Sequence, residues 1–390
     1  MMLGYLLARA GIEVVLLEKH ADFLRDFRGD TIHPSTLELM GELGLLADFL
    51  KLPHQEVTTV SAFFGQREYT LGDFSHLPTR CKFLAFMPQW DFLNFLADRG
   101  KRYAKFGLRM QTEATDLIEE NGRVVGVIAQ APEGPIQIKA HLTVGCDGRH
   151  SLTRARSRLP GRDLGAPMDV LWFRLPKKST DHPHTMGRVG MGHMLVLLDR
   201  GDYWQCAYVI RKGSLEETRR AGLAALRESI VGLMPSFADR VNTLGDWEQI
   251  KLLSVAVDRL EKWYRPGLLC IGDAAHAMSP IGGVGINLAV QDAVATANIL
   301  WQPLANANVQ LQNLERVQER RMVPTRVIQA IQLFLQEKLI AKVLRAGTPL
   351  EAPLALRVVS SMALLQRLPA RLIGMGVRPE HVHSPERLTR

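Results

Sequence analysis

The sequence predicts an α/β fold with a strand-rich stretch in its middle and a C-terminal helical segment. Three observations carry this. Residues 268–300 read LLCIGDAAHAMSPIGGVGINLAVQDAVATANIL: an apolar run ending in Gly272-Asp273, a turn rich in glycine, and a helical pattern opening at about Ile286. Residues 13–19, EVVLLEK, read as a second strand that ends in an acidic residue, Glu18. Between about 167 and 258 the character changes to aromatic and β-branched stretches, LWFRLP, HMLVLLD and YWQCAYVI, which favour a pleated sheet.

Taken in order, MMLGYLLARA is helical, and Gly11 follows it where a helix closes with a residue free to take positive φ. The strand 13–19 comes next. Pro34 suits the first turn of a short helix, because its missing N–H would have no partner there. Residues 53–82 are strand-like with turns, and 90–107 are helical. VGVIAQ and PIQIKAHLTVGCDG are strands. Asp147-Gly148 is a turn, and Ser151 is a candidate helix cap. Ser214 to Glu217 fits a capping box opening a helix to about Gly232. The tail holds two helical patterns, 325–345 and 352–373; in the first, Val327, Ile328, Ile331, Phe334, Leu335, Leu339 and Val343 form an apolar stripe.

Composition narrows the function classes. The chain has 390 residues, 46% hydrophobic and 23% charged, which is globular composition with length for a large and a small domain. Its four cysteines form no C-x-x-C pair, and Cys146 and Cys270 fall in apparent buried strands. That indicates a reducing cytoplasm and no zinc site. His141, His150 and His276 lack metal-ligand spacing and read as turn or strand-end residues. No apolar run approaches the length of a spanning helix. Of the net charge of +8, most lies from Arg321 onward, where eleven Lys or Arg face four Asp or Glu. These charges are spaced singly and almost without aromatics, which argues against nucleic acid. A stripe of this kind is expected to pack on the domains, and a weak contact of the basic helices with a membrane surface stays open.

The segment after Ile271 suits a flat ligand with a polyol or phosphate tail and a ring that becomes anionic. Glycines admit close backbone approach, and a helix start offers unpaired N–H groups at a positive dipole end. The string GDAAHAMSPIGGVGINLAVQD resembles the second flavin motif of the FAD-dependent aromatic hydroxylases, the para-hydroxybenzoate hydroxylase-like class A flavoprotein monooxygenases. The resemblance implies that Gly272 and Asp273 meet the ribityl chain, and that Pro280, Gly283, Gly285, Ile286 and Asn287 curl around the pyrimidine edge. HLTVGCDGRHSLTRARS resembles the same family's D-G-x-x-S-x-x-R motif, here Asp147, Gly148, Ser151 and Arg154, which lies near the pyrophosphate. Glu18 then accepts from the adenosine ribose, Arg28 in FRGDTIHPSTLELMGELGLL faces the FAD, and Gln89 in FMPQWDFLNFLADRG contacts the ribityl chain.

The family opens with a strand and a G-x-G-x-x-G turn, whereas this chain begins like the latter half of the following helix. The expectation is a Rossmann-like FAD-binding domain lacking its start, through a start codon assigned too far downstream or a truncated gene. The implied domains are FAD-binding residues 1–52, 83–166 and 259–320, an inserted antiparallel-sheet substrate domain of residues 53–82 and 167–258, and a helical segment 321–390. The implied activity is hydroxylation of an aromatic or polyketide-like small molecule with NADH or NADPH and dioxygen, through a flavin hydroperoxide. The pocket floor would be Pro280 and the 282–285 loop. Its roof would be one face of 203–208, either Tyr203, Gln205 and Ala207 or Trp204, Cys206 and Tyr208. No acid or base is nameable. The alternatives are a flavin-dependent reductase of an unsaturated lipid and an inactive fragment without flavin; residues 172–176, WFRLP, lack the halogenase signature W-x-W-x-I-P.

Overall fold

The computed structural model describes residues 1–24, 31–181, 185–348 and 350–387. The fold contains two short parallel strand pairs. Val14–Leu17 pairs with Phe106–Arg109, and Thr143–Gly145 pairs with Leu268–Cys270, which also pairs antiparallel with Tyr264–Arg265. All three residues of Leu268–Cys270 are fully buried, as a short uninterrupted apolar run requires. The opening helix Met2–Arg9 lies close over Val14–Leu17. A Cβ on Gly4 would come within 2.0 Å of Leu16 Cδ1, so a larger residue would displace the Leu16 side chain. Gly11 takes φ +81 just beyond the helix, as its position predicts.

The long helix Val284–Ala305 is the central post. Its buried residues include Asn287, Asp292, Ala293, Ala297 and Leu300, on more than one face. Around it gather Leu3, Leu6 and Leu7 of the opening helix, Phe92 and Leu96 of Gln89–Gly100, and Leu314 and Val317 of Leu311–Leu335.

The second core belongs to a seven-stranded sheet in the order Lys251–Leu253, Met168–Pro176, Tyr203–Arg211, Met194–Asp199, Met186–Val189, Thr59–Phe64, Arg67–Asp73. Its pairs are antiparallel except one: Met186–Val189 runs parallel to Thr59–Phe64, where two separate stretches of chain meet. Helix Leu215–Leu233 covers one face of this sheet with Leu226, Ile230 and Leu233.

Several expectations need correction. The helix foreseen over 90–107 is Gln89–Gly100, followed by the strand Phe106–Arg109; Gly100 lets the chain turn there, since a Cβ would lie 2.7 Å from the Phe106 ring. Ser214 opens its helix without a side-chain cap, because its hydroxyl donates to the Arg211 carbonyl and Glu217 pairs with Arg211 instead. Cys146 is exposed, one residue beyond its strand, whereas Cys270 is buried. A boundary at 320/321 falls inside the continuous helix Leu311–Leu335, whose charged run 315–321 keeps helical spacing and buries Arg321. That helix passes into a π-type segment, Gln336–Ile340, then Ala341–Leu344.

Helix Ala363–Met375 seats Ala370 against Gly72 of the seven-stranded sheet. Leu354, Val358, Met362, Leu364 and Leu368 stay exposed on the C-terminal helices. Among the described residues, no helix is long and apolar enough to cross a membrane.

Candidate flavin site

The site grows from the carboxyl ends of the two parallel pairs. Glu18 follows Val14–Leu17 directly, its amide bonded to the Arg109 carbonyl and its carboxylate accepting from the His20 amide at 3.0 Å. Asp273 sits in the 3-10 turn Gly272–Ala274 after Leu268–Cys270. The Met1 amino group is buried, which lowers its pKa, and it lies within electrostatic reach of Cys146 and Glu18. The ends of the two pairs are therefore neighbours.

Asp273 is 35% exposed and faces Arg149, Nε to Oδ2 3.6 Å. Sequence reasoning passed over Arg149, although it occupies a variable position inside the D-G-x-x-S-x-x-R string. The named members of that string turn inward. Asp147 accepts from Ser151 Oγ at 2.5 Å and from the Thr153 amide and hydroxyl at 2.9 and 2.8 Å. Ser151 caps Leu152–Ser157 by accepting from the Arg154 amide at 2.8 Å. Arg154 pairs with Asp258 at 2.5 Å. Gly148, at φ +82, makes the turn that leaves Arg149 facing Asp273.

The second half of the site is the loop 280–287. Pro280 precedes a 3-10 turn, Ile281–Gly283, in which Gly282 and Gly283 take φ +76 and +62. Helix Val284–Ala305 starts at once, so the first-turn amides of Gly285 and Ile286 have no carbonyl within the helix to bond. The Asn287 side chain is fully occupied as a staple. Its Nδ2 donates to the Thr31 and Gly283 carbonyls at 2.9 and 3.2 Å. Its Oδ1 accepts from the His33 amide at 2.9 Å and the Thr36 hydroxyl at 2.8 Å. This ties the strand Thr31–Ile32 to the loop. Gln89 opens its own helix, half-buried. Arg28 lies outside the described residues.

His33 is buried, with Nδ1 2.7 Å from the Ile373 carbonyl. Burial pushes its pKa down from 6.5 to about 4, against the pull of that carbonyl. The folded protein thus holds the ring neutral while the unfolded chain protonates it near 6.5. The stabilisation is complete above 6.5 and is lost as pH falls toward 4, by up to about 3 kcal/mol over the window. Urea midpoints at pH 7 and 5 check this: the wild type should lose stability between them, and His33→Asn should lose distinctly less.

Beneath the Gly272–Asp273 turn lies a buried charge network that sequence reasoning did not foresee. Asp292 Oδ2 accepts from the Gly272 amide at 3.0 Å and meets His276 Nε2 at 2.6 Å. Arg321 Nε donates to Asp292 Oδ1 at 2.8 Å, and its Nη1 reaches Glu380 at 3.1 Å. The only sequence signal was one histidine and the second carboxylate of the motif, His276 and Asp292, sixteen positions apart.

The sheet completes the picture. Trp204, Cys206 and Tyr208 are buried under helix Leu215–Leu233. Ala207 and Val209 are on the opposite face and share a cluster with Ile281 of the loop and Ile340. Tyr203 and Gln205 belong to this second face. Tyr203 lies under the Arg174 guanidinium at 5.0 Å, and Gln205 accepts from Arg200 at 3.0 Å.

These residues suit a flavin nucleotide. A half-buried carboxylate meets hydroxyls, first-turn amides and a dipole end meet an anionic ring edge, and positive-φ glycines admit a planar ring. The family profile described as FAD binding domain matches residues 1–331. The chain belongs to the FAD binding domain family. A 6-methylpretetramide 4-monooxygenase of Streptomyces rimosus is 29% identical over 370 residues, covering 94% of this chain and 88% of that protein. An anhydrotetracycline monooxygenase of Streptomyces rimosus is 26% identical over 320 residues, covering 77% of this chain and 60% of its own length. The p-nitrophenol 4-monooxygenase PnpA of Pseudomonas putida DLL-E4 has the same fold, with a TM-score of 0.77 at 18% identity over 96% of both chains. This member of the FAD binding domain family is a flavin-dependent monooxygenase, with FAD as cofactor, NAD(P)H as co-substrate, and dioxygen and a small molecule as substrates.

Proposed function

We propose that the protein hydroxylates a fused-ring, polyketide-like aromatic compound between the 280–287 loop and the Tyr203–Gln205–Ala207 face of the seven-stranded sheet. The observation that supports this is that Ile281 of the loop packs against the apolar cluster to which Ala207 and Val209 of that face belong. The relatives that act on 6-methylpretetramide and anhydrotetracycline support the substrate class. FAD supplies reductive activation of dioxygen when bound.

The chain's own residues divide the remaining work. Asp273 accepts hydrogen bonds from the ribityl hydroxyls, and Arg149 beside it offers a cation toward the phosphates. Glu18 receives the adenosine ribose, and Gln89 lies along the ribityl chain. The Gly285 and Ile286 amides stabilise negative charge at the pyrimidine edge. The Asn287 staple fixes the loop that carries them. The sheet face closes the site against water, which would otherwise divert reduced oxygen to peroxide.

The test is aerobic incubation of the FAD-loaded protein with NADPH and anhydrotetracycline. A product gaining one oxygen atom, labelled from 18O2, is expected. Double-bond saturation without oxygen would replace this reading with a reductase. Asp273→Ala tests the cofactor half. Losing a charge-assisted hydrogen bond of about 1.5–3 kcal/mol should weaken FAD binding roughly 10- to 150-fold, read by flavin fluorescence titration.

We place the protein in the cytoplasm, which four free cysteines support. The exposed ridge of Leu354, Val358, Leu364 and Leu368, near Arg357, Arg367 and Arg371, supports a weak contact with anionic membranes. Sedimentation with phosphatidylserine vesicles would check it, and recovery of all protein in the supernatant at low salt would exclude it.

A further inference from the structure

Three glutamines line one side of the helix that passes the flavin loop, and two of them are accounted for. Gln329 Nε2 donates to the Asp258 and Ala277 carbonyls at 2.8 and 3.1 Å. Gln332 Nε2 donates to the Ser279 and Ile281 carbonyls, both at 3.0 Å, and its Oε1 accepts from the Ser279 amide at 3.1 Å. Together they zip the helix onto the backbone leading into the loop. Gln336, one turn further on, differs. It is fully buried, and among the described residues neither its Nε2 nor its Oε1 has a hydrogen-bond partner. A buried primary amide with both ends unmet is rare, because desolvation is then uncompensated.

Its position is defined from both sides. Gln332, four residues before, is bonded to Ile281 of the loop. Ile340, four residues after, is buried in the same apolar cluster as Ala207 and Val209 of the sheet. Residues four apart lie on one helical face, so Gln336 stands where the loop and the sheet face converge. The helix is locally wound as a π-type segment over Gln336–Ile340, an irregularity that often re-aims side chains at functional sites.

We propose that Gln336 is a substrate-recognition residue, whose amide pairs with a planar edge carrying an acceptor beside a donor, such as the keto–enol or enol–carboxamide edge of an aromatic polyketide. A primary amide presents an N–H and a carbonyl oxygen side by side in one plane, and such an edge satisfies both at once. A simple phenol satisfies one. The inference rests on the substrate reading above and adds the group that selects within that class.

The experiment uses the FAD-loaded full chain and two probes: anhydrotetracycline, which carries the paired edge, and 2-naphthol, which carries a lone hydroxyl. Gln336→Leu should weaken anhydrotetracycline binding by about 10-fold or more while changing 2-naphthol binding less than about 2-fold. It should also raise Tm by a few degrees, since an unmet polar group has been replaced by an apolar one of similar size. Gln336→Met, unbranched, repeats the test should leucine fit poorly. Unchanged anhydrotetracycline affinity, equal losses for both probes, or a lower Tm in both variants would overturn the proposal. A wild type that holds FAD but binds neither probe would overturn the ligand class and this proposal with it. A wild type that holds no FAD would instead overturn the reading of the site underneath.

Discussion

Gly283→Val is expected to abolish hydroxylation while leaving most of the fold in place. Gly283 holds φ +62, and a Cβ there would stand 2.9 Å from Thr31 Oγ1 and 3.0 Å from Thr31 Cβ. A left-handed conformation costs a side-chain-bearing residue roughly 1–2 kcal/mol, and a β-branched residue tolerates it worst. The clash then pushes the loop and the Thr31–Ile32 strand apart. Asn287 Nδ2 bonds the carbonyls of both Gly283 and Thr31, so its staple cannot survive unchanged. The helix behind is buried along most of its length and should persist. The measurements are far-UV circular dichroism, bound FAD per chain and oxygenated product. Gly285→Ala is the companion variant. Beyond its own helical turn, the nearest protein atom to its Cβ is Met278 Cβ at 3.8 Å, so the protein itself has room. A well-folded Gly285→Ala with weaker FAD binding would report a ring lying against that backbone. Wild-type hydroxylation by Gly283→Val would show that the loop is not the flavin edge.

Asp292→Ala should lower both stability and FAD affinity. Asp292 is fully buried and serves three donors: the Gly272 amide, His276 and Arg321. Arg321 is 1% exposed, so removing its partner leaves a buried charge with the Glu380 carboxylate and the Arg378 carbonyl as its remaining acceptors among the described residues. Breaking a buried pair from one side costs about 3–5 kcal/mol, a large part of a typical domain's 5–15 kcal/mol. The freed Gly272 amide also lets the adjoining Asp273 move, and FAD affinity should fall with it. Urea unfolding and flavin titration measure the two effects, and a variant as stable as the wild type would remove the network from the account. Acid should act in the same direction. Burial alone would raise the Asp292 pKa, but His276 and Arg321 outweigh it and hold it below its ordinary 3.8. A depressed carboxylate stabilises the fold above its unfolded pKa, and that contribution is lost as pH falls through the lower folded value.

Local chemistry was legible wherever a residue's neighbours in sequence are also its neighbours in space. The buried run 268–270, the glycine turn before Val284, the Pro34 helix start and the Ser151 cap all followed from residue type and order. They depend on backbone geometry that one or two residues dictate. The motif strings likewise marked an FAD-binding chain without any contact being known.

Tertiary structure decided what those residues do with their side chains. Asp147 could have faced a ligand or its own helix, and the placement of Ser151 and Thr153 turned it to the helix. Asn287 reads as a helix-start residue beside the ring edge, but its four side-chain bonds reach Thr31, His33 and Thr36, more than 250 positions away, as well as Gly283. The strand at 203–208 offered two equivalent faces, because its side chains alternate with a period of two. Helix Leu215–Leu233 covers one, and Ile281 packs against the cluster of the other, so which face the helix leaves uncovered was decided by what packs on each side. The sequence by itself determined the family, the cofactor and the places where backbone must bend. Which groups meet across the core was decided only in the folded chain, because burial and pairing of polar groups belong to residues that distance in sequence keeps apart.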